Sequence, residues 1–251
     1  MSSWVSERVF TGTERFVLER ELGEGSMGVV YEATDRRTDA RVALKTLKSL
    51  NAQTLARLKT EFRALQEVQH PNLVSFGELI EDAGHWFFTM ELVEGVPLLE
   101  YVARPRDDRR LRHAFGQLAA ALSALHASGL IHRDVKPSNA LVTAEGRVVL
   151  LDFGLVSDVR GRYESMHDNI VGTAAYMAPE QAAGQPITPA ADWYAFGVNL
   201  YEALTGELPH SGSSLQVLLD KQQKAALAPS QRVPGVPPDL DKLCIALLAF
   251  E

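Results

Sequence analysis

The sequence predicts an α+β chain of two lobes, a smaller strand-rich lobe followed by a larger, mainly helical one. A change in periodicity carries that expectation. From Arg15 to about Leu92 apolar residues recur mostly with a period of two; after Gly95 they recur at the three-four spacing of helices. The 251 residues, 46% hydrophobic and 23% charged, suffice for one large core or two small ones.

The elements follow in order. Phe16-Val17-Leu18, Val29-Val30-Tyr31, Val42-Ala43-Leu44 and Trp86-Phe87-Phe88-Thr89-Met90 read as strands, because β-branched and aromatic residues suit a pleated, half-buried surface. One helix interrupts them, with Leu55, Leu58, Phe62 and Leu65 forming a single apolar stripe. The lobes join near Glu91 to Gly95. Beyond the junction Leu111, Phe115, Leu118, Leu122 and Leu125 form a second stripe, and Gly129 stands where a left-handed cap ends such a helix. A further helix runs from Ala190 to Leu204 and stops at Gly206-Glu207-Leu208-Pro209. The nearest thing to a linker is Ala228 to Pro238, with four prolines and a glycine.

Composition excludes several roles. Lys plus Arg number 25 against 32 Asp plus Glu, a net charge of −7. A pI near 5.6 argues against a nucleic-acid surface, which is normally basic. The single cysteine, Cys244, cannot form an intramolecular disulfide and reads as a small buried residue, as expected of a reducing compartment. No apolar run has the length of a membrane helix, and MSSWVSERVF lacks the pattern of a secretory leader, so the expected location is cytoplasmic.

Gly23-Glu24-Gly25-Ser26-Met27-Gly28 fits a G-x-G-x-x-G pattern, which serves dinucleotide folds, kinases and plain turns alike. Strand-like Val29-Val30-Tyr31 follows instead of a helix, so the glycines form a hairpin tip that can lie against phosphates or simply turn the chain. Alternation puts Ala43 and Lys45 on one strand face, suiting a purine beside its phosphates; a solvated strand-end lysine is the plainer reading. Glu61 lies three residues after Leu58 and four before Leu65, on the face expected to be buried. Buried carboxylates are normally paired, and Lys45 is the expected partner.

In the larger lobe His132-Arg133-Asp134-Val135-Lys136-Pro137-Ser138-Asn139 precedes Asp152-Phe153-Gly154 and then Ala178-Pro179-Glu180. Each string is short, but together, in this order and behind the glycine hairpin and strand lysine, they are specific. The sequence resembles the eukaryotic-type protein kinases, and GEGSMGVVY looks most like their bacterial Ser/Thr members. The resemblance covers Phe16 to the end and implies a single kinase domain over 1–251 with the bilobal protein-kinase fold. Its smaller lobe would span about 15–92, its hinge 91–95 and its larger lobe 96–251.

The resemblance implies roles residue by residue. Leu22, Gly23, Glu24, Gly25, Ser26, Met27 and Gly28 cover the phosphates of ATP, and Lys45, oriented by Glu61, holds the α- and β-phosphates. Val30 and Ala43 above and Leu141 below enclose the adenine, which bonds to the backbone of Glu91 and Val93 beside Met90. Asn139 and Asp152 offer hard oxygen ligands for Mg²⁺, with Mn²⁺ as an alternative. Asp134 is the expected catalytic base and Lys136 neutralises the γ-phosphate in transit. Leu65, Phe76, His132 and Phe153 match the side chains that stack between the lobes of active kinases.

Lys136, two residues after Asp134, and Gly172-Thr173 follow the Ser/Thr pattern, so protein Ser and Thr hydroxyls are the expected acceptors. Ser138 and Pro97 stand where basophilic relatives carry acids, so no preference for arginine-rich sites is expected. Arg133 implies pairing with a phosphorylated activation-segment residue. Ser165 is the nearest hydroxyl, Ser157 and Tyr163 lie further off, and Asp168 is expected to supply that negative charge instead. Asp192 is expected to bond the catalytic-loop backbone; Tyr194 and His210 depart from the family pattern away from the chemistry. Leu243 to Glu251 reads as the family's penultimate helix, so a truncated domain lacking the arginine that pairs with Glu180 is expected. Dimerisation through the smaller lobe occurs in bacterial relatives and stays open here.

Two other classes compete. An inactive kinase domain that binds nucleotide or a partner would have lost Lys45, Asp134 or Asp152, all present here. A small-molecule phosphotransferase would lack the Ala-Pro-Glu element and the long activation segment that shape a peptide-binding surface.

Overall fold

The computed structural model describes residues 10–25, 28–48, 51–103, 107–152 and 174–249. The chain divides into two compact units, the first comprising Met1–Glu67 and Ser75–Leu92, the second Val68–Val74 and Val93–Glu251.

The first unit is an antiparallel sheet of β1 (Phe16–Gly25), β2 (Gly28–Asp35), β3 (Ala40–Leu47), β4 (Phe76–Asp82) and β5 (His85–Glu91), in the order β1-β2-β3-β5-β4. Asp39, with φ 54°, turns β2 into β3; Ala83 and Gly84, with φ 49° and 87°, turn β4 into β5. Period-two alternation sorts the side chains. Phe16, Ala33, Leu44 and Phe87 form a core on one sheet face. Phe88, one residue on, belongs to the other face, where Phe62 of helix α1 (Ala52–Glu67) and Phe76 meet it at ring separations of 5.5 and 5.8 Å. Leu58, Phe62 and Leu65 are the buried residues of α1, the stripe expected from sequence apart from Leu55.

The second unit begins with a segment that sequence periodicity places in the smaller lobe. Residues 68–74 pair with β8 (Val148–Leu150): Val74 N donates to Leu150 O at 3.0 Å and Leu150 N to Asn72 O at 2.9 Å. The Asn72 amide donates to Val148 O and Gln117 Oε1, both at 2.7 Å. Gln117 sits on α3 (Asp108–Ala127), whose N-cap Asp107 accepts from Arg109 N and Arg110 N. A second small sheet, β6 (Val96–Pro97), β7 (Ala140–Val142) and β8, is laid beside α2 (Leu98–Ala103) and α3.

Further along lie α4 (Pro179–Ala182), α5 (Pro189–Thr205), α6 (Ser214–Gln223), α7 (Pro229–Arg232) and α8 (Pro238–Leu248). Helix α5 is the hub. Eleven of its residues, including Asp192, Tyr194 and Asn199, are buried, and it ends at Gly206 in the left-handed conformation, φ 77°. Phe196 of α5 meets Phe115 of α3 edge-on at 5.4 Å. The last helix corrects the sequence expectation, starting at Pro238 rather than Leu243, because Pro238, Asp239 and Asp241 favour a helix start in the first turn. Cys244 of α8 is fully buried, and burial pushes its thiol up to about 12, which keeps it inert.

In the first unit Arg15 holds Asp35 in a two-pronged ion pair, at 2.9 and 2.7 Å. Hydrogen bonding from Arg15 draws the Asp35 carboxyl down from an ordinary 3.8 to about 2. A carboxyl depressed on folding adds stability above its unfolded value and loses that contribution as pH falls through the folded one. Denaturant unfolding of the wild type and of Asp35→Asn should therefore differ by a constant free energy above pH 4, converging between pH 4 and 2. A difference independent of pH would contradict the ion-pair account.

Candidate active site

The sequence-predicted site residues fall into two sets, one in each unit. In the first, strand register builds a row across the sheet. Val30 of β2 stands opposite Lys45 of β3, and Lys45 opposite Phe88 of β5; one step along, Ala43 stands opposite Met90. Directly paired residues share a sheet face, so Val30, Ala43, Lys45 and Met90 line the face opposite Leu44 and its core. Lys45 is only 8% exposed and Met90 is buried. Glu91, at the end of β5, donates its N–H to Ser75 O at 2.9 Å.

Of the described glycines of the hairpin, Gly28 is the one packed closely against β3. Leu22, Gly23, Glu24 and Gly25 lie on β1, while Ser26 and Met27 lie outside the described residues. Gly28 has φ 153°, and a Cβ there would sit 1.9 Å from Thr46 O. Thr46 then clasps the next residue: Val29 N donates to Thr46 Oγ1 at 3.0 Å, and that hydroxyl donates to Val29 O at 3.1 Å. The residue after the strand lysine thus fixes the base of the loop, a role that sequence reading missed. Threonine in a strand carries no signal of its own.

Glu61 corrects a sequence expectation. Its ion pair is with Arg57, one helical turn earlier, at 3.0 Å, and not with Lys45. Neighbours four apart on a helix need no tertiary approach to meet, so the local partner takes the carboxylate.

The second set is centred on Asp192. This carboxylate, 1% exposed and in the first turn of α5, accepts from His132 N at 2.8 Å, Arg133 N at 2.7 Å and His126 Nε2 at 2.8 Å. A helix N-terminus also favours negative charge. The bonds hold the loop from His132 to Asp134 in an unusual shape, with Arg133 at φ 69°. His132 sorts its own tautomer: Leu151 O can only accept, so Nε2 carries the proton, at 2.7 Å, and Nδ1 accepts from Asp134 N at 3.3 Å.

Asp134 is thereby presented with both its neighbours on one oxygen. Lys136 Nζ lies 2.9 Å from Asp134 Oδ2, and Asn139 Nδ2 donates to the same atom at 3.0 Å and to Asp134 O at 2.8 Å. Asn139 ends a 3₁₀ turn, Pro137–Asn139, and its carbonyl accepts from Leu151 N at 2.7 Å, which ties the loop to the residue before Asp152. Asp152 itself has φ 47°, in the left-handed region that aspartate enters more readily than most side chains. Leu141 lies on β7 and Val93 just before β6. Phe153, Ser157, Tyr163, Ser165, Asp168, Gly172 and Thr173 lie outside the described residues.

Two more residues brace the loop and were missed from sequence. Gln181 accepts from Ala178 N at 2.9 Å and donates to Arg133 O at 3.1 Å, joining the Ala-Pro-Glu element to the loop. Asn199 donates to Val135 O at 3.2 Å. His126, near the end of the amphipathic helix α3, could have been suspected as a polar residue close to its apolar stripe.

A divalent cation fits this donor set. The Asn139 amide nitrogen is spent on Asp134, which leaves its oxygen as the ligating atom, and Asp152 supplies a carboxylate. Mg²⁺ needs only one or two such protein ligands, the rest coming from phosphates and water. Among the described residues no cluster of three His, Cys, Asp or Glu side chains could hold a metal by itself.

The family model for the protein kinase domain matches residues 16–249. The chain belongs to the protein kinase family. It is 38% identical over 237 residues to the serine/threonine-protein kinase PknA of Mycobacterium tuberculosis, an alignment covering 90% of this chain and 53% of that one. It is 36% identical over 235 residues to PknL of the same species, covering 91% and 59%, and 37% identical over 229 residues to PknE of Mycobacterium bovis, covering 89% and 40%. The chain thus spans little more than half the length of the first two relatives. Among the described residues no helix is long and apolar enough to cross a membrane.

Gly28→Ala tests the loop. The added methyl must displace the β3 backbone at Thr46, so the rise in melting temperature that ATP is expected to give the wild type should be lost. An unchanged shift would show that the loop base is not fixed by that approach.

Proposed function

We propose that this domain transfers the γ-phosphate of ATP to Ser and Thr hydroxyls of protein substrates. The observation that carries the reading is the placement of Asp134: its carboxylate is held between a lysine and an amide on a loop whose backbone is tied to a buried aspartate. Phosphoryl transfer asks little covalent work of a protein and much positioning and charge neutralisation.

On this reading the Asp134 carboxylate accepts the hydrogen of the acceptor hydroxyl and aims its oxygen at the γ-phosphorus. Lys136, 2.9 Å from that carboxylate, moves toward the transferring group as charge builds on it. Lys45 holds the α- and β-phosphates, and the backbone N–H groups of the loop from Gly23 to Gly28 close over them. Asn139 and Asp152 would hold Mg²⁺, or Mn²⁺ in its place, and such an ion would supply positive charge to neutralise the phosphates. The adenine lies against Val30, Ala43 and Leu141, with the backbone of Glu91 and Val93 as hydrogen-bond partners and Met90 beside them. Glu61 assists once it exchanges Arg57 for Lys45. A cytoplasmic site of action accords with an acidic chain whose one cysteine is buried.

Incubation with labelled ATP, Mg²⁺ and a generic protein substrate, followed by phosphoamino-acid analysis, tests the reading. Label should appear on serine and threonine, depend on the metal, and fall by roughly 10²–10⁴ in Asp134→Asn, the usual worth of a positioned acid–base group. Transfer undiminished in that variant would overturn the assigned role.

A further inference from the structure

Helix α6 buries two side chains one turn apart, Val217 and Lys221. The lysine, at 1% exposure, is among the largest fully buried side chains of the described residues. Charge is rarely buried unless it is compensated, and among the described residues no carboxylate pairs with Lys221. Its compensation is backbone. Nζ donates to Ala174 O at 2.8 Å, Ala175 O at 2.5 Å and Met177 O at 2.7 Å, and stands 5.3 Å from the centre of the Tyr194 ring.

An ammonium has three donors, and here three carbonyls use them all. Burial draws the amine down to about 7. The carbonyls act in the opposite direction, since a neutral amine offers two donors and would set its lone pair against the third oxygen. Three carbonyls from a four-residue stretch can converge on one nitrogen only while the stretch keeps one backbone conformation. That stretch leads directly into Ala178-Pro179-Glu180. Just beyond that end Gln181 joins it to Arg133 O, next to Asp134, and within it Tyr176 donates to Glu202 on α5 at 2.5 Å. Lysine is thus the far anchor and Gln181 the near one.

We propose that Lys221 is a positioning residue for the protein substrate: its ammonium fixes the backbone of residues 174–177 as the platform on which the Ser/Thr-bearing peptide segment is laid beside Asp134. The proposal rests on the protein-kinase reading above and deepens it. Lys221 touches neither nucleotide nor acceptor hydroxyl, so it acts on peptide binding and leaves ATP binding alone. A lysine serving stability only would, once removed, weaken both together.

Steady-state kinetics on Lys221→Met and Lys221→Arg separate the two, with a peptide that the unaltered chain phosphorylates as the varied substrate. In Lys221→Met, which keeps length and loses the donors, KM for the peptide should rise at least tenfold while KM for ATP stays within twofold. Lys221→Arg, which keeps charge and donors, should recover the peptide KM to within threefold. An unchanged peptide KM in the methionine variant, or a parallel rise in both KM values, would overturn the proposal. Should the methionine variant give no folded protein, the arginine variant decides: a near-normal peptide KM supports the anchor, and a joint rise in both KM values refutes it. Absence of Ser/Thr transfer by the unaltered chain removes the kinase reading, and this proposal with it; a shift in the peptide-to-ATP ratio bears on Lys221 alone.

Discussion

A buried carboxylate holds the loop from His132 to Asp134 in shape. Asp192 is placed by the first turn of a helix that is itself mostly buried, and it gathers two successive backbone N–H groups and an imidazole. The peptide between His132 and Arg133 can then adopt a left-handed conformation that would otherwise be costly, and Asp134 follows in a fixed orientation. Each neighbouring contact adds to that frame. Gln181, Asn199 and the His132 ring brace backbone groups that Asp192 does not reach.

Charge is distributed unevenly. Surface ion pairs such as Arg37 with Glu78 and Arg112 with Asp239 lie in water, where pairs of this kind contribute little. Among the described residues the buried carboxylates Asp35 and Glu32 are matched to arginines, whereas two of the most deeply buried ionic groups are matched mainly to backbone: Asp192 to N–H groups, Lys221 to carbonyls. Matching of this kind constrains conformation, because backbone donors and acceptors can converge on one atom only in a specific local fold. Asp192 fixes the backbone at His132 and Arg133, and Lys221 that of residues 174–177.

Much of this was legible in the sequence. Strands with β-branched and aromatic alternation, the helical stripes and the ordered motifs were readable because each obeys a local rule. What escaped depends on contacts remote in sequence. Lys221 follows Val217 by one turn, a spacing that marks a shared face, but a lysine is ordinarily solvated and its acceptors lie over forty residues earlier. Residues 68–74 lie within the stretch that periodicity assigns to the smaller lobe; pairing with Leu150 and Asn72's bonds to Val148 and Gln117 place them in the second unit instead. Glu61 shows the reverse error. A tertiary partner was expected, yet Arg57 stood four residues away, a rule available from sequence.

The central claim is that Asp192 sets the geometry of Asp134 without touching the reaction. Single-turnover phosphoryl transfer by Asp192→Asn, alongside ATP binding to the same variant, tests it most directly. An amide there presents one acceptor oxygen where the loop needs two, turning an N–H toward a backbone N–H. Loop displacement of this order costs on the order of 10²-fold in the chemical step, with ATP affinity within a factor of about two. A chemical step as fast as that of the wild type, in a variant that folds and binds ATP, would contradict the account.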